Sequence, residues 1–213
     1  YYASRTAPEN GALTQPALDA RLSGSQLMGT PLGLAADVRA RSARSEFVSG
    51  AATERTTTNV YQLAVLWQAP GSPFRAALGR QYVIGVSSVL LLDGLFVELN
   101  KRPVAFGLFG GLEPDALAFD RSVQDYGAYV RVQGAPGTKR VFWGVTAGAV
   151  GSYRDGEANR EFGFIQASYS SPTITLHGAQ EVDLYRDVRL AAGEQPVSFT
   201  SSYASASFHP AGG

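Results

Sequence analysis

Tyr126-Gly127-Ala128-Tyr129-Val130-Arg131-Val132 decides how the rest of the chain reads. Tyr126, Ala128, Val130 and Val132 occupy alternate positions, and Gly127 and Arg131 stand between them. Only an extended strand sends every second side chain to one face; a helix would group residues three and four apart. The same period of two runs through Leu18/Ala20/Leu22, Leu32/Leu34/Ala36/Val38/Ala40, Tyr61/Leu63/Val65/Trp67, Phe74/Ala76/Leu78 and Leu95/Val97/Leu99. It continues through Val104/Phe106/Leu108, Val141/Trp143/Val145/Ala147/Ala149, Ile165/Ala167/Tyr169, Ile174/Leu176 and Val197/Phe199 with Tyr203. About eleven strands result, several of about 9 to 12 residues where 5 or 6 is usual.

Composition agrees with an all-β chain and removes several chemistries. The 213 residues include 24 glycines, and charged residues make up 17% against about 25% in ordinary soluble domains. No cysteine is present, so disulfides and thiolate metal sites are excluded. Eighteen basic residues balance 18 acidic ones, which gives no global attraction to nucleic acid. The longest apolar run, Val89-Leu90-Leu91-Leu92, ends at Asp93, far short of the roughly 20 residues of a membrane helix.

Connections between strands alternate in length. The expected short turns are Gly29–Pro31, Gln68–Pro73, Asn100–Pro103, Gly134–Lys139 and Ser170–Pro172, rich in turn-forming residues. The expected long loops are 43–58, 80–88, 112–125, 151–161 and 185–196. In an up-and-down meander this segregates short turns at one end and long loops at the other, as in outer-membrane barrels. The central positions of the apolar face carry no charge, whereas the opposite face carries Asp19, Arg21, Asp37, Arg39, Arg41, Arg75, Glu98, Arg131, Glu181 and Asp183. About eight strands already give a filled or single-ligand interior, so a barrel of more strands has room for charges inside. The expected fold is therefore an antiparallel up-and-down transmembrane β-barrel, apolar face to lipid and charged face to the lumen.

Trp67, Phe74, Trp143 and Tyr169 fall near short turns on the apolar face, and Tyr61 and Tyr126 near long loops, as two interfacial girdles would. Tyr1–Arg5 reads as the tail of an earlier strand, with 6–15 as its loop, and residues 209–213 as a turn awaiting another strand. The whole of 1–213 then reads as a single barrel region, incomplete at both ends.

The chain resembles bacterial outer-membrane β-barrel proteins of porin-like type. The resemblance is carried by Leu78-Gly79-Arg80-Gln81, Leu92-Asp93-Gly94, Phe109-Gly110-Gly111-Leu112-Glu113-Pro114, Asp125-Tyr126-Gly127-Ala128-Tyr129, Asn159-Arg160-Glu161-Phe162 and Gln180-Glu181-Val182-Asp183, and covers about residues 12 to 208. It implies an outer-membrane location, a lipid partner and a possible pore.

Catalytic and phosphate-binding motifs are absent. The chain has two histidines, His177 and His209. His177 falls inside a strand on the charged face, with Glu181 and Asp183; a hydrated lumen-wall histidine is the plainer reading than a catalytic triad. Arg80, Asp93, Arg160 and Glu161 read as ion pairs bracing loop or lumen, with ligand recognition by arginine forks as the sharper alternative. The resulting expectation is a non-enzymatic, cofactor-free and metal-free passage for small hydrophilic solutes. The alternative is a non-transporting barrel that presents surface loops or binds partner proteins.

Overall fold

A computed structural model describes residues 2–6, 11–47, 52–83, 85–86, 90–114, 123–134, 141–184, 193 and 195–209. Twelve strands form one sheet in which each pairs, antiparallel, with its neighbours in sequence. They are β1 (Tyr2–Thr6), β2 (Gly11–Gly24), β3 (Leu32–Phe47), β4 (Ala52–Trp67), β5 (Phe74–Tyr82) and β6 (Leu91–Lys101), followed by β7 (Val104–Leu112), β8 (Val123–Gln133), β9 (Phe142–Arg154), β10 (Glu157–Ser170), β11 (Ile174–Leu184) and β12 (Val197–Phe208). The chain is all-β and up-and-down, as the alternation implies. Among the described residues β1 and β12 do not pair, so the sheet is open.

The connections correct part of the loop reading. Residues 151–161 are a strand pair joined by Asp155-Gly156, both with positive φ (52° and 85°), the backbone that a two-residue hairpin turn demands. Strand β3 runs on to Phe47 and β4 starts at Ala52, so most of 43–58 is also strand. Polar sequence beyond the apolar band still satisfies its backbone by pairing, and lacks only the alternation that marks a strand. Gly11 already belongs to β2, which shortens the loop expected over 6–15. Most of Gly134–Lys139, much of 112–125 and 185–196, and residues 210–213 lie outside the described residues.

Register defines two faces. The apolar set on β8 (Tyr126, Ala128, Val130, Val132) lies opposite Leu108 and Phe106 of β7 and Ala149, Ala147 and Val145 of β9. The other face holds a buried cluster of Ala77, Val83, Leu92, Phe96, Phe109, Tyr129, Val150, Phe162 and Phe164. This filling is one feature that the charged-face reading omits. Its aromatic rings lie over glycines: a Cβ at Gly148 would come within 2.8 Å of Phe164, and one at Gly127 within 2.5 Å of Phe109. Phe–Gly alternation hides the apolar content of that face. Described residues of the β5–β6 connection cover the cluster: Val83 is part of it, and Gly85 sits against the Tyr129 ring with its carbonyl 3.4 Å from Gln166 Nε2.

Three bulges shift the alternation. Val38 pairs with Val60 next to the Asp37–Gln62 pair, so Tyr61 is the extra residue. Asn159 is extra between β9 and β10, and Thr200 between β11 and β12. The last one places Tyr203 opposite Ala179 on the charged face, not with Val197 and Phe199.

Candidate functional site

Glu98 on β6 is the centre of the best-built polar cluster. It is 1% exposed. Its partner across β5 is Arg75, whose Nε stands 3.0 Å from Oε1. That contact is an ion pair without a hydrogen bond, because the N–H is not aimed at the oxygen. Its other partners come from β8, two strands away. Arg131 Nη2 donates to Oε2 at 2.9 Å, and the Tyr129 hydroxyl donates to the same oxygen.

The intervening strand makes this reach possible. Glu98 pairs with Gly107 of β7, which pairs with Tyr129, while Arg131 pairs with Ala105. A Cβ on Gly107 would stand 2.2 Å from the Tyr129 ring. Small residues on β7 are what let two β8 side chains cross it. The guanidiniums are also seated on rings, Arg75 at 5.3 Å from the Phe96 centroid and Arg131 at 5.9 Å from Tyr129. A recess of about 600 Å³ opens beside them, lined by Gln68, Ser72, Asn100, Arg102 and Gln133 with Arg75, Glu98 and Arg131.

A second cluster stands toward the other end of the strands. Arg160 Nε lies 3.1 and 3.0 Å from the two Asp183 oxygens, and its Nη2 lies 2.7 Å from Asp183 Oδ1 and 2.8 Å from Glu181 Oε2. Thr200 adds a hydrogen bond to Asp183 Oδ1 at 2.8 Å. The regular register of β10 sets Arg160 opposite Ser152, on the same face as both acids, and the bulge at Asn159 begins only beyond it. A third, more exposed cluster joins β2 and β3: Asp37 takes Arg21 at 2.8 Å and Arg39 at 3.5 Å on separate oxygens.

Every charged residue expected to line a lumen lies on one face by register: Asp19, Arg21, Asp37, Arg39, Arg41, Arg75, Glu98, Arg131, His177, Glu181 and Asp183. They do not form one site. His177 faces Tyr203 at 5.8 Å between ring centroids, while Glu181 and Asp183 are engaged by Arg160. Tyr129, Arg160 and Asp125 lie on the same face by register, and Arg102 joins them at the β6–β7 turn; none of the four was among the residues expected to line a lumen.

On the apolar face Trp67 packs edge-on against Phe74 at 5.5 Å, and Trp143 pairs with Tyr169. Tyr126 stacks on Tyr153 at 5.1 Å. Tyr61 departs from the expected girdle: as the bulge residue it lies under the guanidinium of Arg39, 4.7 Å from its centroid. Charges on this face, among the described residues, fall in two rows. Arg44, Glu54, Arg80, Asp93 and Glu161 stand toward the long-connection end, and Lys101 at the short-turn end. Arg80 and Asp93 form a fork, Nε to Oδ1 at 2.7 Å and Nη2 to Oδ2 at 2.6 Å, which bears out the ion-pair reading.

No family model, curated protein or solved structure matches this chain. Among the described residues no group of three or more His, Asp or Glu could hold a metal ion.

Proposed function

We propose that this chain is the wall of a bacterial outer-membrane β-barrel that passes small hydrophilic solutes along its charged face. One observation carries the reading: the charge-free band of the apolar face. On β6, Asp93 and Lys101 are eight residues apart (93 to 101), which is ~27 Å of strand at about 3.4 Å per residue. At the usual tilt of about 35–45° that becomes ~20 Å of height, close to the roughly 25 Å apolar band of a membrane barrel. Aromatic pairs stand at both margins of the band, Trp67/Phe74 and Trp143/Tyr169 at one and Tyr126/Tyr153 at the other. Buried ion pairs on the opposite face suit a wall that meets water and solute.

The apolar cluster on the charged face, which includes Val83 and has Val86 and Leu90 packed on it, favours a second reading. A barrel so filled anchors surface loops or partner proteins and conducts nothing. Planar-bilayer recording of the protein separates the two. Discrete conductance steps support the passage; a barrel that inserts stably but stays silent supports the anchor.

A further inference from the structure

We infer that the recess beside Glu98 is a binding site for small organic anions bearing a carboxylate or phosphate group. The inference rests on the reading that the charged face is wet, and not on conduction. Three guanidiniums, Arg75, Arg102 and Arg131, line the recess against a single carboxylate, Glu98. Glu98 is already committed: Tyr129 and Arg131 share its Oε2, and Arg75 sits at its Oε1. Its role is to hold the arginines in place. An excess of two positive charges (three Arg minus one Glu) is left facing the opening.

The arginines are also prepared for a ligand. Arg75 and Arg131 are seated over the rings of Phe96 and Tyr129, both buried, so little side-chain freedom remains to be lost on binding. Their side chains keep 32% and 20% exposure, so unused N–H groups reach the recess. A guanidinium fork matches carboxylate and phosphate oxygens in pairs, and the apolar backing strengthens that attraction over what bulk water allows. Gln68, Ser72, Asn100 and Gln133 supply neutral donors and acceptors around the rim, which suits a ligand with hydroxyl or amide groups besides its anion. The volume of about 600 Å³ admits a small metabolite but not a folded partner.

The test is calorimetric titration of the detergent-folded protein at low ionic strength with succinate and, separately, with inorganic phosphate. Saturable binding of either is expected. Arg131→Gln and Arg75→Gln should each weaken it at least tenfold. Lys101→Gln removes a positive charge from the same turn but from the other face, and should leave affinity within twofold. Arg131→Lys keeps the charge and loses the fork, so it should fall between wild type and Arg131→Gln. No saturable binding by folded wild-type protein overturns the proposal, and so does an equal loss in Lys101→Gln, which would mean unspecific attraction. Conductance recorded in parallel keeps the two readings apart. A silent barrel that binds succinate removes the passage and leaves the site, while a conducting barrel without binding removes the site alone.

Discussion

The Glu98 and Arg160 clusters stand on the same face of the sheet, toward opposite ends of the strands, with inverse compositions. At the short-turn end one buried acid is held by two arginines and a tyrosine; at the other, one arginine is held by two buried acids. The difference lies in what each leaves behind if its centre is lost. Removal of Glu98 frees arginines that already keep a third to a fifth of their surface in water. Removal of Arg160 takes the bridging cation from two carboxylates whose side chains are only 7% and 6% exposed. One cluster carries an excess of cations, and the other an excess of anions.

The largest expected effect follows directly. Arg160→Ala should destabilise the folded protein by about 2–3 kcal/mol, less than the full cost of an uncompensated buried charge, because Thr200 still donates to Asp183 and Arg160 is partly solvated. Urea unfolding from lipid vesicles measures it, and Asp183→Asn combined with Glu181→Gln in the same background should recover much of the loss. A loss near zero would break the contrast. Gly107→Val comes next: its Cβ would meet the Tyr129 ring at 2.2 Å, pushing the hydroxyl off Glu98. Overpacking of this kind costs about 1–3 kcal/mol, and adding Tyr129→Ala should relieve the steric part. Glu98→Gln should cost less than Arg160→Ala, about 1–2 kcal/mol, since hydrogen bonds weaken but no anion is stranded. Smallest of all is Arg21→Ala. Arg21 is 72% exposed in its pair with Asp37, so the change should stay below about 1 kcal/mol.

The residues of these clusters were unequally legible in the sequence. Arg75, Glu98 and Arg131 interrupt clean apolar alternation, and the register then places them opposite or near one another without further help. Glu181 and Asp183 were legible for the same reason, and Arg160 was legible as an ion-pair residue but not as their partner. Arg160 lies in polar sequence beyond the alternating part of β10, where counting by twos gives its face but not the two acids it meets on β11. Bulges misplaced Tyr61 and Tyr203, which counting by twos puts on the apolar face. A bulge is a backbone event set by cross-strand pairing, and one sequence carries no mark of it. Tyr129 was missed differently. Its reach to Glu98, two strands away, depends on Gly107 of the strand between, a non-local condition that appears only when the sheet is assembled. The strand order, the two faces and the apolar-face placement of Trp67, Phe74, Tyr126, Trp143 and Tyr169 needed only the period of two.

The central claim is that the apolar face meets lipid and the charged face meets water. Ala204 and Ser205 on β12 test it most directly, because they are adjacent, both exposed, and on opposite faces: Ala204 pairs with Gly178 and Ser205 with His177. Neither arginine substitution would disturb a packed interior. The free energy of folding into lipid vesicles should fall by about 2–4 kcal/mol for Ala204→Arg, as expected for arginine at a lipid-facing barrel position near the midplane. Ser205→Arg should change it little. Equal effects from the two variants, or a larger one from Ser205→Arg, would contradict the lipid-facing assignment.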